Sequence, residues 1–375
     1  MSLGTLGNKS LDYQPFWELT SRTGFGWGVL GSGPKALPEA LIIRRSTINA
    51  WGPQCMNLHH WDARSVPSTR KSLSIVSIIV MMVPEAGPKE SLHYYWYKYS
   101  KTPPYRSVTR LDSNGIPRVW GRVTGIVYRP GFVAMHGLNN LGHYLQSGNQ
   151  AHPKVFLNQV DWLEAHAVIR GDGAVVWPHD FDHQESAVRL KAPWLSANAQ
   201  GLVISALVRG WRITRRPRLL ELLERSSCVF QLNCECNGVR VQAEEHIVYT
   251  EVPGLPAPGI MDGFVNSLLG LYDLYVETGD PSVSKLFEQG VVGLRYFLPR
   301  WDYKKKWSMY SNRSYLCSPA YHCQNRVLLS VIARLTGDSY FAEYAEAWHH
   351  SRLSASDRAE IYLLKLFDSI PSRTE

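Results

Sequence analysis

The feature that most constrains the fold is a repeated pair of helices separated by a tight turn. Three predicted helices end at sharp breaks beginning at Thr214, Thr278 and Thr336, which lie 64 and 58 residues apart. The helix before each break is apolar around most of its circumference, and the helix after it is amphipathic. This is the pattern of a buried helix followed by a half-exposed one. Short turns make the two helices antiparallel neighbours, so the sequence predicts repeated helical hairpins.

The hairpins define the expected architecture. Their buried members are predicted over four ranges: 131–145, 194–212, 262–277 and 319–335. Their amphipathic partners are predicted over 218–230, 282–298 and 339–348. Repeated hairpins with buried first members pack as an inner ring within an outer ring, so we expect an all-α main domain with an incomplete (α/α) toroid. A solenoid of the same hairpins is the alternative, but the long loops between hairpins favour a closed barrel.

The chain before the helices has a different character. Residues 1–90 form an N-terminal segment without a legible pattern, and its glycines between Gly24 and Gly33 lack the preceding strand of a phosphate-binding loop. Residues 91–130 are rich in aromatics and are predicted to be an extended lead-in with a β-hairpin, whose turn lies at 112–115. Residues 131–375 then form the predicted toroid, which we expect to be the catalytic domain.

The composition favours an acidic partner. The formal net charge is +8, which suits a polyanion such as an acidic polysaccharide. The charges form no dense tract and no nucleic-acid-binding motif is present, so we expect no nucleic acid as a partner. The apolar run at 73–83 is too short to span a bilayer, which needs about 20 residues, and is better read as a buried strand.

The cysteines and the N-terminal sequence indicate which cellular compartment to expect. Six cysteines in 375 residues are too few for a disulfide scaffold, and Cys234 and Cys236 are too close together for a zinc site. We therefore expect free thiols in a reducing compartment. The N-terminus lacks the pattern of a signal peptide, which favours a cytoplasmic protein. Two histidines and two aspartates at 179–183 could form a metal cluster, but the stretch also reads as a polar loop, and we expect no metal.

Long loops enter the buried helices from one side. They span 177–191, 244–259 and 301–318, and such a rim is where functional residues are expected. At these loops the sequence resembles the C-terminal catalytic domain of D-glucuronyl C5-epimerases. Four stretches carry the resemblance, in the family's order: 193–201 (PWLSANAQG), 251–273, 307–313 and 318–322 (SPAYH). Together they place the similarity over roughly residues 92–350.

The resemblance implies an activity. Members of this family invert C5 of D-glucuronic acid units in a heparosan-like polysaccharide and give L-iduronic acid, on an (α/α) toroid. The chemistry removes a proton next to a carboxylate and returns one to the opposite face of the sugar. An enolate-like species must be stabilised by cations or strong donors, and phenols can transfer protons if nearby cations lower their pKa. No cofactor is implied, and a homodimer stays open.

Particular residues follow from the resemblance. Glu251 corresponds to a catalytic loop carboxylate, and Tyr310 and Tyr321 correspond to two proton-transferring phenols on opposite sides of the sugar ring. Arg313 corresponds to the arginine that binds the uronate carboxylate. The other expected substrate contacts are His322, Trp194, Gln200, Trp177 and Tyr249. For the two tryptophans, a place in the core is an equally good interpretation.

The sequence also departs from the family. A family tyrosine that follows the catalytic glutamate is Val252 here, and an apolar neighbour should raise the pKa of Glu251. Tyr249 is a candidate to replace the missing phenol. The family's Asn-Gly-Phe helix start begins with Asp262, which we predict as the N-cap of a helix. Three interpretations therefore stay open: a uronate C5-epimerase, a polysaccharide lyase or glycoside hydrolase on the same toroid, and a binding protein without activity.

Overall fold

The computed structural model describes residues 80–82, 95–99, 109–121, 124–185, 188–254, 259–311 and 315–368. Most of the predicted N-terminal segment lies outside these ranges. The described chain is mainly helical, with small antiparallel sheets. Its helices are α1 (Pro130–Ser147), α2 (Ala151–Ala165), α3 (Ala197–Thr214), α4 (Pro217–Glu224), α5 (Met261–Thr278), α6 (Pro281–Phe297), α7 (Pro319–Thr336), α8 (Ser339–Ala347) and α9 (Ala355–Asp368).

The strands are short and pair with neighbours along the chain. They are β1 (Val80–Met82), β2 (Tyr97–Tyr99), β3 (Thr109–Leu111), β4 (Pro117–Gly121), β5 (Gly125–Tyr128), β6 (Val168–Ile169), β7 (Val175–Val176), β8 (His183–Glu185), β9 (Val188–Leu190), β10 (Arg240–Ala243), β11 (His246–Tyr249), β12 (Asp302–Tyr303) and β13 (Trp307–Ser308). Strands β3, β4 and β5 form one antiparallel sheet, and the others pair two by two. The predicted hairpin turn at 112–115 connects β3 to β4.

Three helical hairpins turn in the same way. The hydroxyl of Thr214 donates to the carbonyl of Gly210 at 2.8 Å and accepts from the backbone N–H two residues later. Thr278 and Thr336 make the same two contacts. The residue after each threonine has a positive φ, of 55°, 70° and 68° in chain order, which ends a helix in the left-handed conformation. The breaks predicted from the sequence are confirmed, with helix ends within a few residues.

The first helices of the hairpins pack side by side. Helix α1 packs against α3, α3 against α5, and α5 against α7, and each second helix lies against the first helix of its own hairpin. The β1–β2 ribbon contacts both ends of this row, because β2 packs on α1 and β1 packs on α7. The prediction of hairpins with buried first helices is confirmed.

A buried ion pair joins the two central helices. Arg209 of α3 and Asp273 of α5 are fully buried, and their Nη1 and Oδ2 atoms lie 2.6 Å apart. The indole of Trp96 donates to Asp273 Oδ1 at 3.0 Å, and the Arg209 guanidinium lies 5.2 Å from the Tyr95 ring centroid. A buried pair is tolerated only when hydrogen bonds satisfy its remaining atoms. These contacts therefore fix α3, α5 and the aromatic lead-in relative to one another.

The same two helices touch through glycines. A Cβ at Gly270 would lie 2.3 Å from the backbone oxygen of Gly201, and a Cβ at Gly201 would lie 2.5 Å from Cα of Ser267. Only glycine leaves room for so close an approach. The N-terminal halves of both helices are thereby brought together, and the amide of Asn266 donates to Asn198 Oδ1 at 3.1 Å.

Some details differ from the sequence prediction. Helices α2 and α9 are not among the predicted helices, and the helix predicted over 218–230 ends at Glu224 before a short 3-10 turn at Cys228–Phe230. Asp262 is not an N-cap, so that prediction is wrong: α5 follows Ile260, and Asp262 lies inside its first turn. Of the predicted strand at 73–83, residues 80–82 are described and form β1. Among the helices in the described ranges, none is long and apolar enough to cross a membrane.

We expect Gly270→Ala to lower the free energy of unfolding by about 1–3 kcal/mol, the usual cost of overpacking a core. Alanine favours a helix over glycine by about 1 kcal/mol, so a loss would come from the contact with α3. Urea unfolding measures the change. Gly171→Ala is the control, because a Cβ there meets no atom within 4 Å. A Gly270→Ala protein as stable as the wild type would contradict this account of the helix contact.

Candidate active site

The N-terminal ends of four helices lie around one loop carboxylate. Arg129 directly precedes α1, and Asn198, Asp262 and Tyr321 lie in the first turns of α3, α5 and α7. Glu251 of the β11–α5 loop hydrogen-bonds Asn198 and interacts electrostatically with Arg129, Asp262 and Tyr321. Helix N-termini carry partial positive charge, so their convergence favours a bound or developing anion.

Glu251 is oriented by a chain of hydrogen bonds. Its side chain lies directly over Gly263, where a Cβ would come within 2.2 Å of Oε2. Asn198 hydrogen-bonds its carboxylate, and Asn198 Oδ1 accepts from Asn266 at 3.1 Å. Asn266 Oδ1 accepts in turn from the buried hydroxyl of Tyr97 at 3.0 Å. The position of Glu251 is therefore determined by α3, α5 and β2 together.

The two carboxyls of the site are both desolvated. Loss of solvent raises the pKa of Glu251 and repulsion from Asp262 raises it further, while the Asn198 hydrogen bond and the charge of Arg129 lower it. Desolvation also raises the pKa of Asp262, against backbone N–H groups of its own helix turn that lower it. Gln324 Nε2 donates to Asp262 Oδ2 at 3.3 Å. The pair keeps protons at pH values where exposed carboxyls are ionised.

The two predicted phenols are neighbours. The Tyr310 and Tyr321 rings meet edge to face with 5.5 Å between centroids, and Tyr315 stacks on Tyr310 at 5.3 Å. In this conformation no sugar ring fits between the two phenol rings, contrary to the expected placement on opposite sides. Desolvation raises the pKa of both phenols, and the charges of Glu251 and Asp262 raise it further. Tyr321 remains 38% exposed. Both phenols therefore stay protonated at neutral pH and are weaker acids than a free phenol, contrary to the expectation from the sequence that cations lower their pKa.

Arg129 is a site residue that the sequence reasoning missed. Its guanidinium lies 4.9 Å from the Phe181 ring centroid, and its buried Nε has no hydrogen-bond partner within the described part of the chain. Desolvation lowers its pKa, whereas Glu251 and the two phenols raise it. No motif marks this residue, and its position directly before a helix was the only available signal. A charged arginine with an unused donor is suited to bind a carboxylate.

Three predicted substrate contacts lie in the core instead. Trp177 is 1% exposed and its indole donates to a backbone carbonyl at 2.7 Å. Tyr249 is fully buried, and its hydroxyl donates to a carbonyl at 2.8 Å on the side of α6. The amide of Gln200 donates to two backbone carbonyls, each at 2.8 Å. The donor groups of these three side chains are hydrogen-bonded to backbone carbonyls of the protein. Tyr249 therefore does not replace the missing phenol in this conformation.

His322 is also enclosed. Its Nδ1 accepts from the backbone N–H of Ser308 at 3.0 Å, its Nε2 contacts the carbonyl of Trp348 at 3.0 Å, and the ring stacks on Trp307 at 3.8 Å. Burial lowers the pKa of His322 to about 3. The imidazole is neutral, with both nitrogens engaged, and it holds the loop before α7 against the end of α8.

Trp194 is 8% exposed and lies in a stack of rings. His179 and His183 stack on it at 4.1 Å and 5.3 Å, and its indole donates to the carbonyl of Phe181 at 2.8 Å. Desolvation and, to a smaller extent, the charge of Arg129 lower the pKa of His179 to about 3. Within the described ranges, no three His, Cys, Asp or Glu side chains are grouped so that they could hold a metal ion.

The remaining predicted positions are Val252 and Arg313. Val252 is 3% exposed and packs with Val188 and Ile260 in a small apolar cluster below the β8–β9 hairpin. The raised pKa of Glu251 has the direction expected beside an apolar residue, and burial is its main cause. Arg313 lies outside the described residues.

Comparison with known proteins covers the part of the chain that holds this site. Residues 171–350 match a family model described as the C-terminus of D-glucuronyl C5-epimerase. A D-glucuronyl C5-epimerase of Caenorhabditis elegans is 28% identical over 218 residues, which cover 53% of this chain and 35% of that protein. An uncharacterized protein of Methanocaldococcus jannaschii is 22% identical over 178 residues, covering 46% of this chain and 57% of that protein. The aligned part thus spans only about a third to a little over half of these relatives.

We expect Glu251→Gln to stabilise the protein at neutral and higher pH. The pKa of Glu251 is higher in the folded protein than in the unfolded chain, so the folded state holds more protons between the two values. Stability therefore falls as the pH rises through this range. Glutamine cannot ionise, so the variant should be more stable at pH 8, by about 1.4 kcal/mol for each unit by which folding raises the Glu251 pKa. The difference should vanish near pH 4.

Urea unfolding at the two pH values measures this effect. Glu288→Gln is the matched control, because Glu288 is an exposed carboxylate on α6; its effect should be the same at both pH values. If the wild type and Glu251→Gln were equally stable at pH 8, the conclusion that burial raises the pKa of Glu251 would be wrong.

Proposed function

We propose that the protein is a uronate C5-epimerase, an isomerase that acts on carbohydrate, because residues 171–350 match the family model of the D-glucuronyl C5-epimerase C-terminus. Its substrate would be D-glucuronic acid units in a heparosan-like polysaccharide, and its product L-iduronic acid units. The observation that carries the proposal is the meeting of two carboxyls, two phenols and an arginine at the N-terminal ends of four helices.

Proton removal is assigned to Glu251. The C5 hydrogen of a uronic acid is adjacent to the sugar's carboxylate, so its removal leaves an enolate-like anion. A carboxylate whose pKa is raised is a stronger base than an exposed carboxylate. Glu251 has such a raised pKa and is still partly ionised near neutral pH. Its hydrogen bond from Asn198 holds the ionised form in place. Glu251 thus supplies the base on one face of the sugar.

Proton return is assigned to the phenols. Tyr310 and Tyr321 are protonated at neutral pH, and the enolate-like anion is a much stronger base than a phenolate, so each phenol can donate its O–H proton to C5 although its pKa is raised. Tyr321 is the better donor, since it is partly exposed at the start of α7. After one turnover Glu251 has gained a proton and the tyrosine has lost one. Exchange with solvent restores both groups, so C5 of the product carries a solvent hydrogen.

The substrate's carboxylate needs a cation. Arg129 faces Glu251 and both phenols and keeps an unused donor at Nε. We propose that Arg129 binds the uronate carboxylate together with Arg313, the residue to which the family resemblance gives this role. The converging helix N-termini add positive potential where negative charge develops on the enolate. A chain with a net charge of +8 also suits an anionic polymer.

We also infer that the helical hairpins form an incomplete (α/α) toroid, with residues 131–375 as the catalytic domain. The support is that α1, α3, α5 and α7 pack in chain order while their partners lie outside them. The β1–β2 ribbon touches α1 and α7 and would bridge the gap in the ring. In such a ring the four helix N-termini surround a single opening, which is where the proposed active site lies.

The decisive experiment is incubation of the protein with heparosan in D2O, followed by NMR. Deuterium at C5 together with iduronate signals is the expected result. A 4,5-unsaturated uronate would instead identify a lyase, which shares the first proton removal. New reducing ends would identify a hydrolase, and unchanged heparosan would refute the proposed reaction on this polymer.

We expect Tyr321→Phe to lower epimerisation by about a hundredfold or more, the scale of losing a proton-transfer group. Deuterium uptake at C5 measures turnover, and the far-UV circular dichroism should not change. Tyr362→Phe is the control, because Tyr362 is a tyrosine with a 44% exposed side chain on α9 and has no assigned role in the reaction. Wild-type turnover in Tyr321→Phe would mean that Tyr310 is the proton donor. Wild-type turnover in the double variant, with Tyr310→Phe as well, would mean that neither phenol takes part in the reaction.

We expect Arg129→Lys to impair turnover nearly as much as Arg129→Ala. Lysine keeps the charge but loses the planar fork that pairs with a carboxylate. A hydrogen bond to a charged group contributes about 1.5–3 kcal/mol, so kcat/KM should fall about tenfold or more. Arg218→Lys, at an exposed arginine paired with Glu221, is the matched control. A lysine variant with normal kinetics would mean that Arg129 does not bind the substrate.

A further inference from the structure

Asp262 is a second carboxyl beside Glu251, but it is not open to a substrate. It is 7% exposed and lies in the first turn of α5. The next residue in that turn, Gly263, has the Glu251 side chain directly against it, closer than any Cβ would permit. The Glu251 side chain of the β11–α5 loop therefore lies against the turn of α5 that carries Asp262, in a region from which water is largely removed.

Each carboxyl has its own hydrogen-bond donor. Glu251 is hydrogen-bonded by Asn198. Asp262 accepts from Gln324 Nε2 at 3.3 Å, and Gln324 Oε1 accepts from the hydroxyl of Tyr99 at 3.0 Å. Donors on both sides mean that either group can hold a negative charge. Two adjacent carboxylates in a dry site cannot both ionise easily, because like charges repel strongly there.

We propose that Asp262 is a positioning residue that acts through Glu251, and that the two carboxyls hold a single proton between them in the free protein. The site then carries one negative charge opposite Arg129 instead of two. This inference rests on the proposed function, since it assigns the base of that reaction to the pair.

The shared proton has a consequence for an acidic substrate. A uronate brings its own carboxylate, and two ionised carboxyls in the site would repel it. With one proton on the pair, the remaining charge is balanced by Arg129. With the shared proton on Asp262, the ionised carboxyl of Glu251 takes the C5 proton, and both carboxyls are then protonated. Tyr321 gives its proton to C5 and regains one from solvent, while the surplus proton of the pair passes to solvent. Atoms and charge balance over one turnover.

Several other ionisable groups act on the pair. Arg129 comes from the segment before α1, Glu185 from β8, and Tyr310 from the loop before α7. Among the residues that the structure describes, those whose charges influence Glu251 or that respond to either carboxyl are Tyr97, Tyr99, Arg129, Glu185, Tyr310, Cys317 and Tyr321. The phenols and the thiol have raised pKa values and stay neutral over the range in which carboxyls titrate. Glu185 is the remaining acid of the set, so its variant belongs among the controls.

The test is a 13C NMR titration of side-chain carboxyls in the full chain, with labelled Asp and Glu. In the wild type we expect one proton of the pair to be lost well above the ordinary carboxyl range. In Asp262→Asn the Glu251 midpoint should fall by about one pH unit or more, the size of coupling that defines an interacting pair. Glu288→Gln should leave it unchanged, and Glu185→Gln should lower it by less.

The reciprocal variant keeps the proposal testable if Asp262→Asn does not fold. In Glu251→Gln the Asp262 midpoint should fall towards ordinary values. An unchanged Glu251 midpoint in Asp262→Asn, or two carboxyls that both titrate as exposed groups, would overturn the shared proton.

The pH dependence of turnover provides an independent test of the shared proton. The acidic limb of the kcat profile of Asp262→Asn should move to lower pH by the same amount as the NMR midpoint, which a purely structural role would not produce. A limb that does not move, while the NMR midpoint does, would show that Glu251 is not the base. If the wild type turns over no uronate, the proposed function fails, and the titration still decides whether the pair shares a proton.

Discussion

The close contact between α3 and α5 is the constraint on which the rest of the structure depends. Gly201 and Gly270 let the two backbones meet at a distance that any side chain would prevent, and Arg209 and Asp273 form a buried ion pair farther along the same interface. The contact draws the N-terminal halves of both helices together, which joins Asn198 to Asn266. The orientation of the loop carboxylate is thus set by packing of the core. A one-carbon change deep in the bundle would reach the site through two amide side chains.

The site is held in place at a cost to stability. Desolvated carboxyls and an arginine with an unused donor are unfavourable in a folded protein, since raising the pKa of an ionised carboxyl by one unit costs about 1.4 kcal/mol. The four first helices of the hairpins offset this cost through their packing. They are apolar around most of their surface, and large aromatic residues such as Trp96 and Phe264 are buried in the core that they form. The proposed chemistry at C5 would need this arrangement, because a base that is strong near neutral pH must lie where water does not stabilise its charge.

The sequence predicted the repeat and part of the site for identifiable reasons. Threonine followed by a left-handed residue is a local signal, so the hairpin breaks could be located from the chain alone. Glu251, Tyr310 and Tyr321 were found through resemblance, and the structure places them close together. Burial of single aromatic residues could not be predicted: Tyr249 faces the core because its hydroxyl meets a carbonyl 37 residues away. Arg129 was missed because it belongs to no motif and enters the site only when α1 packs beside α3.

The two departures from the family pattern act in the same direction. Val252 stands where the family has a phenol, and it packs into an apolar cluster with Val188 and Ile260 next to Glu251. Asp262 stands where the family has an asparagine, so a carboxyl is added in the same region in which a hydroxyl is missing. An apolar neighbour makes the region drier, and a drier region strengthens the interaction between the two carboxyls. Each change alone would weaken a site that depends on a tyrosine, whereas together they suit the carboxyl pair that we propose to hold and release a proton. The substitutions are therefore better explained as one altered acid–base arrangement than as two independent losses.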